Sequence, residues 1–403
     1  MLVANPPVLK SQSMTISRRT CACLLLALAP TIFLLATHSS AKITNKYFVY
    51  AGTYTAKTNS KGIYVFPFDV QSGNPGAPVV AAETPDPSFL AISPNKQYFY
   101  AVNELTTFEG QSTGAITAYS RDYATGKLTQ LNRVSSRGAG PCHISLDRTG
   151  NYVLVANYDS GSVATFPVLK NGALGAASAF VQHTGSGPNQ ERQPGPHAHW
   201  IATSPDNRFA LAADLGSDEV LVYRFSAENG SLAPGNPPFI KLSPGAGPRH
   251  FAFHPHAPFA YVLSEMQSTV TAFAYEEKTG RLSTMQTLST LPESFKSQND
   301  AAELLVHPEG KFLYASNRGH DSIAVFSIDP GKGTLTFAGD FPTQGKTPRN
   351  FAIDPTGNFL LAANQESDAV VIFRINRSTG ALTPSGESIS VPAPVDLLFV
   401  PAQ

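Results

Sequence analysis

The amino-acid sequence predicts an all-β fold, a seven-bladed β-propeller of four-stranded antiparallel blades. One group of short apolar runs recurs seven times, at intervals of 46 to 57 residues. Alternating β-branched and aromatic residues, separated by Gly, Asn and Asp turns, favour strands over helices in these runs. Four short strands repeated at roughly 40–50 residues are typical of propeller blades.

The first strand of each repeat is predicted from an apolar run that ends in Pro or an equivalent residue. These anchors are Pro94, Arg148, Pro205, Pro255, Pro308, Pro355 and Pro401. The second strand is a further apolar run, and these runs end at Thr53, Asn103, Asn157, Asp214, Glu265, Asn317 and Asn364. A third run follows in every repeat, and a fourth opens at a glycine, often as Thr-Gly.

The two ends of the chain predict how the ring closes. The repeats begin with a second-strand run at Phe48 and finish with a first-strand run at 395–400. The N-terminal strands and the C-terminal strand would therefore share one blade, which hides two open sheet edges. Because each blade packs only against its neighbours, residues 42–403 can form a single propeller domain.

Residues 1–41 are predicted to be a secretory signal segment. Arg18 and Arg19 precede an apolar run at 24–36, and small residues follow at 39–41. The run contains Pro30 and is short for a membrane span. We expect export to the periplasm or the medium, with no membrane attachment after signal removal. The arginine pair leaves Sec and twin-arginine export open, and Met14 is an alternative start.

Composition restricts the partners of the chain. It has 29 basic and 29 acidic residues, and the signal segment holds three of the basic and none of the acidic ones. The remaining slight acidity argues against nucleic acid or an anionic membrane as partner. Cys142 is the one cysteine after residue 41, so it cannot form an internal disulfide. Oligomeric state cannot be read from the sequence.

The propeller topology predicts which side chains meet. Because neighbouring strands are antiparallel, the start of the first strand and the end of the second lie on the same face, beside the channel. The first-strand starts, six residues before each anchor, are Ser88, Cys142, His199, Arg249, Ala302, Arg349 and Val395. Ionisable residues concentrate between His199 and Arg349, and the connections 183–198 and 287–301 open on this face. We therefore predict a charged pocket at this mouth.

Each candidate residue has a purely structural alternative. Polar residues that close the second strand, such as Asn103, can simply cap turns, and arginines can form structural ion pairs with Glu265. At the opposite face, His254, His256 and His307 are expected to be structural. His197 and His199 form a His-x-His pair that suits a metal, but the sequence offers no acid-rich cluster to complete such a site. No metal and no cofactor are predicted.

Three motifs resemble the seven-bladed propeller lactonase family: Pro248-Arg-His-Phe-Ala-Phe-His-Pro, Ser316-Asn-Arg-Gly-His-Asp-Ser and Ala363-Asn-Gln365. The family includes one type of 6-phosphogluconolactonase and the fungal carboxy-muconate cyclases. The resemblance extends over about residues 46 to 401. It implies a lactone hydrolase that acts on a sugar-acid lactone, with a catalytic set of His199, Arg249, Glu265 and Arg318.

The expected chemistry needs a base, an acid and oxyanion donors. We assign Glu265 as general base and His199 as acid, and Arg249 and Arg318 would hold an oxyanion or carboxylate by paired hydrogen bonds. Further contacts to a small anionic lactone or sugar acid are expected from His197, His250, Asn299, Asp300, His320, Arg349 and Gln365.

Two other functions stay open at this stage. One is a cyclase-type lactonising enzyme that uses the same groups. The other is a non-enzymatic exported binding module similar to the YVTN-repeat propellers, which has no need for charges clustered at one channel mouth. Phosphogluconate chemistry is cytoplasmic, so the export signal leaves the substrate and the direction of reaction undecided. A serine-hydrolase mechanism lacks its G-x-S-x-G motif.

Overall fold

The computed structural model describes residues 46–402 as 28 β-strands in seven four-stranded antiparallel sheets. The predicted signal segment, residues 1–41, lies outside the described residues. The sheets form the blades of a ring, and their innermost strands contact one another around a central channel. The predicted fold class is confirmed. Within residues 46–402, no helix has the length and apolar character needed to cross a bilayer.

The strands follow the chain in blade order. Blade 1 begins with β1 (Lys46–Thr53), β2 (Gly62–Asp69) and β3 (Val79–Glu83). Blade 2 comprises β4 (Leu90–Ile92), β5 (Tyr98–Asn103), β6 (Ala115–Arg121) and β7 (Leu128–Ser135). Blade 3 comprises β8 (Pro141–Leu146), β9 (Tyr152–Asn157), β10 (Ser162–Pro167) and β11 (Ala179–Gln182). Blade 4 comprises β12 (Ala198–Thr203), β13 (Phe209–Asp214), β14 (Glu219–Phe225) and β15 (Leu232–Lys241).

The remaining blades have the same composition. Blade 5 comprises β16 (Pro248–Phe253), β17 (Phe259–Ser264), β18 (Thr269–Glu276) and β19 (Arg281–Ser289). Blade 6 comprises β20 (Asp300–Val306), β21 (Phe312–Arg318), β22 (Ser322–Ile328) and β23 (Leu335–Pro342). Blade 7 comprises β24 (Pro348–Ile353), β25 (Phe359–Asn364), a 3₁₀ turn (Gln365–Ser367), β26 (Ala369–Ile375) and β27 (Leu382–Ser390). The last strand is β28 (Pro394–Pro401).

The ring closes in blade 1, as the sequence predicts. Strand β28 pairs antiparallel with β1, from Tyr47 opposite Pro401 to Gly52 opposite Asp396. The C-terminal strand thus supplies the innermost strand of the blade that β1 begins. Arg121 of blade 2 donates from Nη1 to the Pro401 carbonyl over 2.9 Å, which ties the closure to the next blade.

Apolar packing between neighbouring blades holds the ring together. The structure has seven core clusters, and each one combines residues of two adjacent blades. The cluster between blades 7 and 1 includes Phe359 against Phe68, whose rings meet edge to face at 5.6 Å. Burying one such side chain contributes about 1.5–3 kcal/mol, so every interface, including the closing one, stabilises the fold.

The recurrent Gly turn before the fourth strand has a structural reason. Tyr100 donates from its hydroxyl to the Gly172 carbonyl of the next blade over 3.0 Å, and Tyr314 does the same to Gly380. Both glycines have positive φ, 84° and 75°, a conformation that glycine adopts without strain. The turn therefore presents its carbonyl to the neighbouring blade.

A β-bulge recurs where the inner strand begins. In blades 1, 3, 4, 5 and 7 the register shifts by one residue, and the unpaired residues are Val395, Cys142, His199, Arg249 and Arg349. In blade 6 the shift leaves Ala302 and Glu303 unpaired. A bulge re-aims the side chain that it carries. Together with Ser88, these residues other than Glu303 occupy the predicted first-strand starts, and we call these seven positions the bulge row. Ser88 itself precedes β4 and carries no bulge.

Histidines at the opposite face join adjacent blades. His254 lies with Nε2 at 2.9 Å from the Gly310 carbonyl, and His307 lies equally close to the Gly357 carbonyl. His256 contacts the Pro308 carbonyl, also at 2.9 Å. Their predicted structural role is confirmed.

Candidate active site

The channel mouth is lined by the bulge row and by a second row, which we call the rim row. The rim row is the position after the end of each second strand, or in blade 6 the last residue of that strand: Tyr54, Glu104, Tyr158, Leu215, Glu265, Arg318 and Gln365. The sequence analysis placed Glu265 one position earlier, in line with Asn317, and that register is wrong. Ser264 pairs with Thr269 as Asn317 pairs with Ser322. No Asn marks this strand end, so the apolar run was read one residue too far.

Polar residues at the strand ends themselves are structural. Three of them are asparagines that donate from Nδ2 to a backbone carbonyl just after the fourth strand of another blade. The pairs are Asn157 with Ser136, Asn317 with Thr290, and Asn364 with Thr343. Asp214 accepts backbone N–H bonds from His197, Gly216 and Ser217 and contacts His183 Nδ1 at 2.6 Å. Asp214 therefore caps the turn after its strand, whereas the three asparagines join neighbouring blades.

The two rows enclose a cavity of about 330 Å³. It is lined by Glu104, Cys142, Tyr158, Arg192, His199, Glu265, Asp300, Arg318 and Arg349. Below it the channel narrows to a space of about 10 Å³, lined largely by the bulge row and the residues beneath it. That volume admits about one water molecule, whereas the cavity above has the size of a small-molecule site.

Glu265 lies at the centre of three guanidinium groups. Its Oε2 is 2.8 Å from Arg249 Nε and 2.8 Å from Arg318 Nη2, and its Oε1 accepts a hydrogen bond from Arg192 Nη2. Burial alone would raise the pKa of the carboxyl, but the three arginines outweigh it and lower the pKa to about 2. Glu265 is therefore a carboxylate throughout the usual pH range.

The arginines are held from behind by backbone carbonyls. Arg249 donates from Nη1 to the Ala302 carbonyl over 2.5 Å, and Arg318 donates from Nε to the Asp300 carbonyl over 3.2 Å. Burial, together with Arg318 and Arg349, lowers the pKa of Arg249 to about 10, so it stays charged at neutral pH. Fixed guanidinium groups in a poorly solvated cavity stabilise negative charge strongly.

His199 is buried at the cavity wall as a neutral imidazole. Burial lowers its pKa well below the ordinary value, and Arg249 and His250 lower it further. Its Nδ1 has no hydrogen-bond partner among residues 46–402. A buried, unpartnered ring nitrogen beside a cavity is costly unless a ligand or water uses it.

A second wall is built around Arg349. Its Nη2 donates to the Tyr54 hydroxyl over 2.8 Å, and its guanidinium lies 5.2 Å from the centre of the Tyr54 ring. Tyr54 in turn donates to Glu104 over 3.0 Å, and Ser88 donates to the same carboxylate. Burial raises the pKa of Glu104, although Arg349 opposes that shift. Arg349 has no carboxylate within 4.0 Å among the described residues, which leaves its charge available in the cavity.

The structure brings the four predicted catalytic residues together, with Asp300 and Arg349. His250 lies one layer deeper, where its Nε2 is 3.2 Å from Arg249 Nη1. The other four predicted substrate-binding residues do not line the cavity.

Three of those side chains are engaged elsewhere. His197 stacks on Tyr158 at 4.5 Å, His320 contacts Ser322 Oγ at 2.7 Å, and the Asn299 amide donates to Ser268 Oγ. Gln365 begins the 3₁₀ turn. Their roles toward substrate stay predictions, without geometric support.

Sequence reasoning missed Arg192, Tyr54, Glu104 and Tyr158. Arg192 lies in the connection 183–198, which the sequence predicts to open on this face. Because this loop is irregular, the repeat does not predict which of its side chains reach the cavity. The other three could have been found, since each follows the end of a second strand. Among residues 46–402, no group of three or more His, Cys, Asp or Glu side chains is placed to hold a metal ion.

The fold and the site together define a propeller with an arginine-rich axial pocket. The family described as "Lactonase, 7-bladed beta-propeller" matches residues 48–399. The chain belongs to this family, and its enzyme class is that of a lactonase.

Several characterised or solved proteins are similar to the chain. A 6-phosphogluconolactonase of Bacillus subtilis is 39% identical over 313 residues, which cover 77% of this chain and 85% of the relative. A crystal structure of a periplasmic gluconolactonase from Pseudomonas aeruginosa is 35% identical, with a TM-score of 0.84, over 89% of this chain and all of that one. A putative 6-phosphogluconolactonase from Bacteroides fragilis is 37% identical, with a TM-score of 0.82, over 89% and 99%.

Proposed function

We propose that the protein hydrolyses a sugar-acid lactone of the gluconolactone or 6-phosphogluconolactone type in the axial cavity. The observation that carries this proposal is the contact of Glu265 with Arg192, Arg249 and Arg318 beside a neutral His199, at a 330 Å³ cavity. The names of the Bacillus and Pseudomonas relatives support the same substrate class.

The proposed reaction adds water to the lactone carbonyl. Glu265 takes a proton as the water oxygen bonds to the carbonyl carbon, and Arg249 and Arg318 stabilise the resulting oxyanion. The bond between that carbon and the ring oxygen then breaks. His199 donates a hydrogen bond to the departing oxygen, and the proton collected by Glu265 completes the new hydroxyl. Lactone and water give a hydroxy acid, and every side chain returns to its starting protonation state.

With its low pKa, Glu265 can act as a base only if the positive charge around it shifts during the reaction. A carboxylate with a pKa of about 2 is always ionised but weakly basic. When the oxyanion draws Arg249 and Arg318 toward itself, Glu265 loses part of the positive field and becomes more basic at that moment. The ionisation of Glu265 by itself should therefore not limit activity until the pH falls toward about 2.

Arg349 is the candidate contact for an anionic group of the substrate. It lines the same cavity as Glu265, with its guanidinium over the Tyr54 ring, and a guanidinium suits phosphate or carboxylate oxygens. A phosphorylated lactone would use this charge fully, whereas a neutral sugar lactone would use it as a hydrogen-bond donor. The predicted export and the periplasmic Pseudomonas relative favour the unphosphorylated lactone.

The test is a pH-stat assay of the purified protein with D-glucono-1,5-lactone and with 6-phosphogluconolactone, corrected for spontaneous hydrolysis. We expect catalysis of at least one lactone, and a loss of about 10³-fold in Glu265→Gln, within the range of general base catalysis. Glu366→Gln is the matched control, because Glu366 is exposed in the 3₁₀ turn on the same face. It should retain full activity.

Two outcomes would overturn the proposal. Rates equal to spontaneous hydrolysis for both lactones would remove the substrate class, and a carboxy-muconate should then be tested for lactonisation. Catalysis that Glu265→Gln leaves unchanged would remove the assigned base.

A further inference from the structure

A second ring of side chains lies beneath the bulge row, one residue further along each inner strand. Its members are Phe89, His143, Trp200, His250, Glu303, Asn350 and Asp396. Two of them are buried carboxyl groups, Glu303 at 5% exposure and Asp396 at 4%. The proposed mechanism uses neither.

Glu303 is connected to the active site by hydrogen bonds. Its Oε1 is 2.8 Å from His250 Nδ1, and His250 Nε2 is 3.2 Å from Arg249 Nη1. Arg249 in turn contacts Glu265 from its Nε. A continuous path therefore runs from blade 6 through blade 5 to the centre of the cavity.

The partners of Glu303 define its protonation state. Oε1 accepts from the Leu304 backbone N–H over 2.9 Å, and Oε2 accepts from the Asn350 side-chain amide. Asn350 is itself fixed, because its Oδ1 accepts from the Leu397 backbone N–H over 3.0 Å. Both oxygens thus face donors, an arrangement that only the carboxylate satisfies fully.

The carboxylate also determines which nitrogen of His250 carries the proton. Burial lowers the pKa of His250 well below its ordinary value, and Arg249 lowers it further, so the ring is neutral. With Glu303 ionised, the proton lies on Nδ1, and Nε2 offers its lone pair to Arg249. The opposite tautomer would direct an N–H bond at an N–H bond of the guanidinium.

We propose that Glu303 is a positioning residue, which acts through His250 to fix the orientation of the Arg249 guanidinium that faces Glu265 and the substrate. In many metal sites a carboxylate fixes the tautomer of a histidine that binds the metal. Here the histidine contacts a guanidinium instead. The part of this inference that concerns rate rests on the proposed function. The part that concerns the His250 tautomer does not.

Titration of Glu303 provides a distinctive signature. Burial raises its pKa to about 7, although the Leu304 N–H, Arg249 and Asn350 oppose the shift. The ionisable groups near it are His250, Arg249 and Asp396, with His143 and Arg349 further around the channel. The His143 and His250 pKa values are lowered well below 6.5 and the Asp396 pKa is raised well above its ordinary value. A step in kcat near neutral pH that persists in Asp396→Asn and disappears in Glu303→Gln would therefore point to Glu303.

The experiment compares wild type with Glu303→Gln. Gln fills the same volume, but only its one amide oxygen can accept hydrogen bonds, so it cannot accept from His250 and Asn350 together. We therefore expect kcat to fall about tenfold while KM changes less than twofold. Wild-type kcat should rise with pH through about 7, as the carboxylate forms, and the variant should show no such step. Asp396→Asn is the matched control, since it removes an equally buried carboxyl of the same ring with no hydrogen bond to Arg249 or His250 among the described residues.

A second readout does not depend on activity. In ¹⁵N-histidine-labelled protein, His250 should show the Nδ1–H tautomer in wild type and in Asp396→Asn, and a mixture in Glu303→Gln. The signal is assigned with His250→Gln. An unchanged tautomer together with an unchanged pH profile would overturn the proposal, even if Glu303→Gln is less stable. A wild-type protein without lactonase activity but with the expected tautomer shift would overturn the proposed function alone.

Discussion

Histidines lie at both ends of the inner strands, and they behave differently. His199 and His254 are both buried, and burial lowers the pKa of both rings. At the far face, His254 Nε2 contacts a backbone carbonyl of the next blade, so the ring joins two blades. At the cavity, His199 Nδ1 has no partner among the described residues. A functional side chain is therefore marked by an unused polar atom beside a cavity, and not by burial or a shifted pKa.

In the comparison of the two faces, the largest effect is expected for the histidine at the cavity. His199→Asn should lower kcat about 10²-fold, because the hydrogen bond to the departing oxygen is lost, a size usual for acid–base groups. The unfolding midpoint should change little, since no protein partner of Nδ1 is left unpaired. Steady-state kinetics and thermal unfolding measure the two quantities. A stable variant with wild-type kcat would show that the cavity histidine is only structural.

A smaller effect is expected for Arg318→Lys. Lysine keeps the charge but cannot contact Glu265 and the Asp300 carbonyl together, as the guanidinium does. We expect kcat/KM to fall about tenfold. The control is Arg374→Lys, because Arg374 is exposed and donates to the Ser72 carbonyl at the outer edge of the ring. Equal kinetics in both variants would contradict the role of the buried guanidinium.

At the far face, we expect a histidine substitution to lower the free energy of unfolding and to leave catalysis unchanged. His254→Asn removes the contact to the Gly310 carbonyl and should cost about 1 kcal/mol of unfolding free energy, with kcat unchanged. The pKa of folded His254 lies below about 6.5, its unfolded value, so its contribution is complete above pH 6.5 and declines as pH falls below it. Urea unfolding of both proteins at pH 5 and pH 7.5 checks this. A larger difference at pH 5 would contradict the sign.

The smallest effect is expected at the edge of the cavity. Asp300 Oδ1 lies 3.6 Å from Arg192 Nη1, and both side chains are about 30% exposed. Exposed pairs contribute about 0–1 kcal/mol, so Asp300→Asn should change kcat/KM less than about threefold. Kinetics at low and high salt would test it, because a large, salt-insensitive loss would place Asp300 among the groups that touch substrate.

The sequence was sufficient for the fold and for most of the site's centre. Strand periodicity and the first-strand anchors predicted seven blades, and the predicted first-strand starts lie at a bulge in every blade except blade 2, where Ser88 precedes β4. Regular repeats make such positions equivalent, which is why Arg249 and His199 could be brought together from residues 50 apart.

The rest depended on local geometry that has no repeat. His320 was expected in the pocket, but Gly319 with φ 128° and Asp321 with φ 54° form the turn in which its ring packs against Phe295 and Ser322. Arg192 reaches Glu265 from an irregular connection. The register at Glu265 failed for a different reason, since Ser264 does not interrupt an apolar run as clearly as Asn does.

Closure of the ring by β28 has a consequence for how the catalytic pocket comes into being. Tyr54 and Arg349, almost three hundred positions apart, share one wall, and β28 is the strand that brings their blades together. A nascent or clipped polypeptide that lacks 394–401 would retain every proposed reactive group and still have no enclosed pocket. Such a chain would remain inert until β28 is in place.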